Sequence, residues 1–260
     1  FNPEGWVVAT VPGTVLTSYK NAGAVPNPNY ADNLFMISES FFNSNFWYRD
    51  AFEMPAGFKQ DRVFLNFDGI NWKANVYLNG EKLGKIEGAF IRGIFDVTDK
   101  VKEGENVVAV EIVKNKHIGA IKEKYEKNTD FNGGILGADN PTFHATIGWD
   151  WISTIRGRNI GIWNDVTLTT SGKVTIQDPF VQAVLPLPDT TSVVLTPEVI
   201  VKNHESAPVA GVLSGKIGEI TFEQPVELKA NEEKTVKFDP EKFTQLKVQN
   251  PHLWWPKGAG

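Results

Sequence analysis

The stretch RVFLNFDGINWKANVYLNG, residues 62–80, decides the fold class of this chain. Its two ends, residues 62–68 and 73–78, are short runs rich in β-branched and aromatic residues, and such runs predict β-strands. Asn79 and Gly80 both tolerate positive φ, so this pair predicts a tight hairpin turn directly after the second strand. Asn71 and Trp72, between the runs, are interpreted as core residues. The stretch therefore predicts antiparallel β-structure.

Similar strand signals lie on both sides of this stretch. The further strands that they predict in the first part of the chain are 46–53, 106–113 and 161–169. One helix is predicted over 14–22, because Thr14 can cap it and Gly23 can end it. Residues 114–146 have weak periodicity and contain consecutive glycines, so we expect a functional loop or a disordered connection there.

The sequence changes character near Ser171. Beyond it, runs with regular apolar–polar alternation and few aromatic residues predict strands over 174–185, 193–201, 209–213, 221–228 and 235–238. They predict a second, smaller antiparallel sandwich. The expected domains are therefore 1–170 and 171–260. Trp254 and Trp255, close to a glycine-rich end, suggest that the second domain is truncated at its C-terminal end.

Composition excludes several classes of function. The 260 residues carry a formal net charge of -5, without a block of like charges, so neither nucleic acid nor a membrane surface is expected as a partner. No apolar run approaches the ~18 residues of a membrane span. The absence of cysteine excludes disulfides and thiolate metal sites. The four histidines have no metal-ligand spacing, so neither a metal ion nor a cofactor is expected.

No motif for a catalytic serine, a phosphate-binding loop, a dinucleotide or a zinc protease occurs in the sequence. Asn231-Glu232 resembles the dipeptide that ends in the acid/base residue of many barrel glycosidases. Because it lies between two predicted sandwich strands, we interpret residues 230–234 as a polar hairpin turn. No catalytic residue is predicted.

Trp149-Asp150-Trp151 is the most distinctive short motif of the chain. An indole can cover the apolar face of a sugar ring, and a carboxylate can accept charge-assisted hydrogen bonds from two neighbouring hydroxyl groups. The alternative is that both indoles are core residues and that Asp150 caps a turn. The residues alone leave both interpretations open. His144, nearby, either contacts a ligand or bonds to the backbone.

The strand that begins FWYR, residues 46–49, has two different faces. Strict alternation places Phe46, Tyr48 and Phe52 on one face and Trp47 and Arg49 on the other. The second face is either a buried edge of the sandwich or a sugar-contacting surface. Trp163, which lies outside this strand, is interpreted as a core residue.

Several motifs together resemble the N-terminal half of glycoside hydrolase family 2, closest to its β-mannosidase and exo-β-glucosaminidase branches. In chain order they are WVVATVPGTV (6–15), NPNY (27–30), FWYR (46–49), LNFDGINWKANVYLNG (65–80), GIFDVT (93–98), GWDW (148–151), GIWNDV (161–166) and NPHLWWP (250–256). The resemblance implies an all-β fold, in which a jelly-roll (galactose-binding-like) β-sandwich is followed by an immunoglobulin-like β-sandwich. It also implies a TIM barrel downstream, which carries both catalytic glutamates.

The resemblance implies that this chain is the non-catalytic N-terminal part of a retaining, exo-acting β-glycosidase. By motif, Asp150, with Trp149 and Trp151 beside it, reaches over the barrel mouth and binds hydroxyls of the terminal sugar. Asn43 lies in the place of another substrate-contacting residue of the first domain. The implied partners are the terminal sugar of a β-linked oligosaccharide and the barrel of the same protein, and polysaccharide-degrading relatives favour a periplasmic or secreted location. Two alternatives remain, a stand-alone carbohydrate-binding module and a purely structural pair of sandwiches.

Overall fold

The computed structural model describes residues 4–117, 119–121, 134–136, 157 and 159–258, of which Glu39, 119–121 and 134–136 are described by their backbone alone. The chain forms two compact units, Phe1–Thr170 and Ser171–Gly260. Strands predominate in both units. The predicted all-β fold class is confirmed, with a galactose-binding-like sandwich first and an immunoglobulin-like sandwich second.

The first unit contains three short helical elements and eleven strands within its described residues. The helical elements are α1 (Val15–Asn21), α2 (Asn33–Met36) and a 3₁₀ helix (Glu39–Phe42). The strands are β1 (Phe46–Met54), β2 (Arg62–Phe67), β3 (Ile70–Asn71), β4 (Lys73–Leu78), β5 (Glu81–Glu87), β6 (Gly93–Asp96), β7 (Gly104–Ile112), β8 (Gly119–Ile121), β9 (Gly134–Leu136), β10 (Gly161–Ile162) and β11 (Val166–Ser171).

Two sheets build the sandwich of this unit. One has the strand order β1-β7-β4-β5 and the other β11-β2-β6, while β10 pairs with β3 and β8 with β9. The predicted hairpin turn joins β4 to β5, and Asn79 and Gly80 have φ values of 52° and 86°. This backbone conformation explains why these two residue types stand there. The predicted strands 62–68 and 73–78 and the helix 14–22 are confirmed, and the Thr14 side chain accepts a hydrogen bond from Thr17 N at 3.1 Å.

The hydrophobic core of the first unit lies between these two sheets. Its fully buried side chains come from both sheets, from α1 and from the 3₁₀ helix, and include Phe42, Val63, Phe67, Val76 and Ile112. Phe46, Tyr48 and Phe52 pack against this cluster, which confirms the face predicted for them. Asn71 is buried, as predicted, whereas Trp72 and Trp163 are only half-buried.

Two sequence-based predictions for the first unit need correction. The single strand predicted over 161–169 is interrupted, because the amides of Trp163 and Asn164 both donate to the carbonyl oxygen of Gly69, at 3.1 and 3.3 Å. The chain therefore leaves its pairing with β3 and resumes as β11 beside β2. Among its described residues, the connection predicted over 114–146 includes a short antiparallel pair, β8 with β9.

The second unit has six strands and one 3₁₀ helix in its described residues. They are β12 (Val174–Val184), β13 (Ser192–Asn203), β14 (Val209–Ile217), β15 (Ile220–Leu228), β16 (Glu233–Lys237) and β17 (Lys247–Gln249), with the 3₁₀ helix at Thr244–Leu246. The sheets are β12-β13-β16, with β17 also on β13, and the hairpin β14-β15. Their shared core includes Val201, Leu213, Phe222 and Phe238, and the last two rings meet edge to face at 4.5 Å.

The turn at residues 230–234 is not the predicted hairpin. It joins β15 to β16, and these two strands belong to different sheets. The amide of Asn231 donates to Glu205 O and the amide of Asn203 donates to Glu232 O, so long-range bonds hold the turn. Glu232 itself accepts a hydrogen bond from Lys229 N, which gives its carboxylate a structural role.

Candidate functional site

The residues predicted to bind the sugar are described only in part. Trp149, Asp150 and Trp151 lie outside the described residues, as does His144. Asn43 is described. The segment that carries Trp149, Asp150 and Trp151 leaves the sandwich at Lys114 and rejoins it at Gly157, and both of these residues are described as well. These two places define the corner at which the candidate site is attached.

The segment leaves the sandwich beside Asn43. Asn43 is exposed and directly follows the 3₁₀ helix, and its Oδ1 accepts a hydrogen bond from Lys114 Nζ at 3.3 Å. Lys114 comes two residues after the end of β7, and its amide donates to Asn45 Oδ1 at 3.0 Å. No described residue accepts a hydrogen bond from Asn43 Nδ2. The exposed amide therefore keeps two donor hydrogens that could serve a ligand.

The segment rejoins the sandwich next to the same 3₁₀ helix. Gly157 is buried, and a Cβ placed on it would lie 2.9 Å from Leu16 Cβ and 3.5 Å from Phe42 Cε1. The carbonyl oxygens of Ile160 and Ile162 then accept hydrogen bonds from Val15 N and Gly13 N, both at 2.8 Å. Because Phe42 and Asn43 are neighbours in the chain, the two attachment points of the segment are close together.

A set of polar side chains supports this corner. Glu111 accepts hydrogen bonds from Asn45 Nδ2 through Oε1 and from Asn75 Nδ2 through Oε2, each at 2.9 Å. Asn115 is 4 % exposed, and its Nδ2 has no partner among the described residues. Asn115 was not singled out from the sequence, because only the burial of its amide distinguishes it from other loop asparagines.

Tyr48 lies in the wall of the sandwich near the returning segment. A Cβ on Gly161 would lie 3.0 Å from the Tyr48 hydroxyl, so this contact requires a glycine. Burial raises the pKa of Tyr48 to about 12, although the nearby Ser18 side chain and Ile162 backbone lower it in part. The hydroxyl has no hydrogen-bond partner among the described residues, and a pKa of about 12 keeps it protonated at neutral pH.

No group of three or more histidine, aspartate or glutamate side chains in the described part of the chain could hold a metal ion. No helix within that part is long and apolar enough to cross a bilayer.

Comparison with known proteins decides the family. The family model described as "Glycosyl hydrolase 2 galactose-binding domain-like" matches residues 2–164, and "Glycosyl hydrolases family 2" matches residues 174–259. This chain belongs to glycosyl hydrolase family 2. The resemblance stated from the sequence is thereby confirmed, and the two matched regions are N-terminal domains of family 2 proteins.

Two relatives in this family match nearly the whole chain. The exo-β-D-glucosaminidase of Streptomyces avermitilis is 31 % identical over 99 % of the chain, which corresponds to 26 % of that enzyme. The mannosylglycoprotein endo-β-mannosidase of Lilium longiflorum is 33 % identical over 98 % of the chain and 27 % of that enzyme. The chain thus spans about a quarter of the length of these family 2 enzymes.

Two solved structures of glycosidases are similar in fold to this chain. The exo-chitosanase of Amycolatopsis orientalis, in complex with a p-nitrophenyl β-D-glucosaminide, matches 100 % of the chain and 27 % of its own, with a TM-score of 0.76 and 26 % identity. The β-D-mannosidase of Dictyoglomus thermophilum matches 97 % of the chain and 30 % of its own, with a TM-score of 0.64 and 25 % identity.

Proposed function

We propose that this chain is the N-terminal, non-catalytic part of a retaining, exo-acting β-glycosidase. In this proposal it supplies a scaffold and a substrate-contacting lip to a TIM barrel that carries both catalytic glutamates. The lip consists of Trp149, Asp150 and Trp151, with Asn43 beside it. The observation that carries the proposal is the match of both sandwiches, in order, to family 2 glycosidases about four times as long as the chain.

The described corner supports a role for the lip. Asn43 lies where the segment that carries Asp150 leaves the sandwich, and Gly157 lies where that segment returns, against Leu16 and the neighbouring Phe42. Both ends of the segment that carries Asp150 are therefore held at this corner of the sandwich. The exposed Asn43 amide adds hydrogen-bond donors at the same corner, and the carboxylate of Asp150 would add an acceptor.

The chemistry of the lip favours exo action. A terminal sugar has a free hydroxyl group at the position that, in an internal sugar, is linked to the next sugar of the chain. A carboxylate placed to accept hydrogen bonds from such hydroxyls rewards a chain end and penalises a substituted hydroxyl, because the buried acceptor then stays unpaired. The Streptomyces avermitilis and Amycolatopsis orientalis relatives are described as exo-acting, whereas the Lilium longiflorum relative is described as an endo-β-mannosidase. Endo action is therefore the second candidate.

A chimeric enzyme tests the proposal. Residues 1–260 would replace the matching quarter of the Streptomyces avermitilis exo-β-D-glucosaminidase, and kcat/KM would be measured on p-nitrophenyl β-glucosaminide and β-mannoside. We expect activity on at least one substrate and a fall of roughly 10- to 150-fold with Asp150→Ala, since a hydrogen bond to a charged group contributes ~1.5–3 kcal/mol. Asp165→Ala removes an exposed carboxylate from a short turn of the same unit and is the matched control.

Three outcomes would contradict the proposal. If the chimera folds but has no activity, while the unmodified parent enzyme is active in the same assay, the chain does not act as a scaffold for a catalytic barrel. Equal kcat/KM values for Asp150→Ala and Asp165→Ala would remove Asp150 from the substrate site. Cleavage of internally linked oligosaccharides, with no preference for chain ends, would exclude the exo assignment and favour endo action.

A further inference from the structure

The outer face of the four-stranded sheet in the first unit carries a bowl of aromatic side chains. The core-facing residues of β7 are Val108, Val110 and Ile112, so Ala109 points to the opposite face. In the register of the sheet, Ala109 lies between Arg49 of β1 and Tyr77 of β4. A methyl group between two long side chains leaves a depression in the surface.

Large side chains surround this depression on most sides. Its floor is formed by Ala109 and Val107, its walls by Trp6, Trp47, Tyr77 and Arg49, and its rim by the turn residue Gly80. The cavity measures about 340 Å³, at the lower end of the ~300–1,000 Å³ of small-molecule sites. The centres of the Trp47 and Tyr77 rings lie 5.6 Å apart with an interplanar angle of 37°, so the two rings contact each other and form one continuous aromatic wall. The bowl has room for one sugar ring.

The charged groups at the bowl are cationic. No described carboxylate forms an ion pair with the Arg49 guanidinium, which keeps donors for a ligand on this wall. Lys82 Nζ lies 6.0 Å from the centre of the Tyr77 ring. The nearest acid in the adjacent row, Glu111, is already bonded through both oxygens to Asn45 and Asn75. The site therefore offers aromatic faces and positively charged donors but no unpaired carboxylate among its described neighbours.

We propose that this bowl is a second sugar site, separate from the lip at Asp150. One pyranose ring lies on the floor with its apolar C–H face against Trp47 and Tyr77, while Arg49 donates hydrogen bonds to neighbouring hydroxyl oxygens. The ligand class is a neutral pyranose of a β-linked glycan. An amino sugar binds more weakly, because its ammonium group meets the charges of Arg49 and Lys82. The bowl thus holds a polysaccharide without taking part in its cleavage.

The proposal can be tested on the 260-residue chain by calorimetric titration with β-1,4-mannobiose and, in parallel, the β-1,4-linked dimer of glucosamine at about pH 6, where amines of ordinary pKa are protonated. We expect saturable binding of mannobiose in the millimolar range or tighter, and at least roughly fivefold weaker binding of the glucosamine dimer. Arg49→Gln should weaken mannobiose binding several-fold and reduce this discrimination.

Two variants test the location of the site by opposite means. Trp47→Ala removes a wall and Ala109→Phe fills the floor, and each should weaken mannobiose binding by roughly tenfold or more. Trp254→Ala is the matched control, because Trp254 is 84 % exposed and belongs to the second unit. Circular dichroism and the unfolding midpoint confirm that each variant is folded, and Ala109→Phe keeps the test decisive if Trp47→Ala is destabilised.

The failure of this proposal can be distinguished from failure of the proposed function. A single-ring site is expected to bind in the millimolar range. If mannobiose shows no saturable binding up to about 10 mM, the proposed sugar site in the bowl is refuted, whatever the activity of the chimeric enzyme. Binding that survives both Trp47→Ala and Ala109→Phe but is lost in Asp150→Ala would also overturn it, since the sugar would then lie at the lip. An inactive chimera would leave the binding result unchanged.

Discussion

Asn106 is a buried polar side chain whose loss should strongly weaken the first unit. It is fully buried at the start of β7, and its Oδ1 accepts from Lys102 N and from Asn79 Nδ2, both at 2.9 Å. Its Nδ2 donates to Lys102 O at 2.8 Å and to Gly104 O at 3.0 Å. Asn106 therefore joins the turn before β7 to the hairpin turn between β4 and β5, and we predict a large loss of stability for Asn106→Ala.

The magnitude follows from these four hydrogen bonds. Each contributes about 1 kcal/mol net, so the simple sum is about 4 kcal/mol. Two facts reduce it, because Lys102 is exposed to water and Asn79 Nδ2 retains its second bond, to Lys100 O. The expected destabilisation is about 3 kcal/mol. With an m value of about 2 kcal/mol/M, the urea midpoint of the first unit should fall by roughly 1.5 M.

Tryptophan fluorescence during urea unfolding measures this change. The tryptophans of the first unit, which dominate the signal, are Trp6, Trp47, Trp72, Trp149, Trp151 and Trp163. The matched control is Asn75→Ala, which removes one hydrogen bond from a half-buried asparagine of β4 and should cost about 1 kcal/mol. If Asn106→Ala costs no more than Asn75→Ala, the inference that Asn106 clamps the two turns is wrong.

Two further perturbations have signs fixed by the structure. Because burial raises the pKa of Tyr48 from 10.0 to about 12, mainly the unfolded chain ionises this group between these pH values. The free energy of unfolding should therefore fall by about 1 kcal/mol from pH 10 to 11, and Tyr48→Phe should lack this loss in urea titrations. Gly157→Ala should destabilise the first unit by about 1–3 kcal/mol, because its Cβ would lie 2.9 Å from Leu16 Cβ. The control is Gly211→Ala, which has open space around the new methyl group and should leave the Tm unchanged. Equal Tm values for Gly157→Ala and Gly211→Ala would refute the close contact between residue 157 and Leu16.

The parts of the fold that were predictable from the sequence depend on local physics. Thr14 caps α1 through a hydrogen bond to Thr17, three residues away, and Asn79-Gly80 forms its turn because both residues adopt positive φ. The alternation of residues 73–78 is preserved because one face of β4 packs into the core. In each case the determining interactions lie within a few residues, so the sequence pattern carries the information.

The parts that were mispredicted depend on long-range contacts. The interruption between β10 and β11 arises at the carbonyl oxygen of Gly69, almost a hundred residues earlier in the chain. The residues 230–234 looked like a hairpin turn because strand patterns do not reveal which strands pair. β16 instead lies beside β13.

The candidate sites show the same limit. Trp47 and Arg49 were assigned to one face from alternation, but the floor at Ala109 becomes recognisable only once three strands are in register. For the lip, sugar binding by Trp149, Asp150 and Trp151 stays a prediction, and their motif is one of several that together carried the family resemblance. The contacts that attach its segment to the sandwich could not be predicted from the sequence. Lys114 and Gly157 are distant in sequence from Asn43 and Phe42, which they contact in the fold.

The central claim is that Asp150 binds a hydroxyl group of the terminal sugar in a barrel pocket. The most direct test is a cycle that combines Asp150→Asn with substrates that each lack one ring hydroxyl, measured as kcat/KM of the chimeric enzyme. We predict that the substitution lowers kcat/KM by roughly tenfold or more on the complete sugar and less than about twofold on the one deoxy sugar that lacks the contacted hydroxyl. The same loss on every substrate, or no loss on any, would contradict the account.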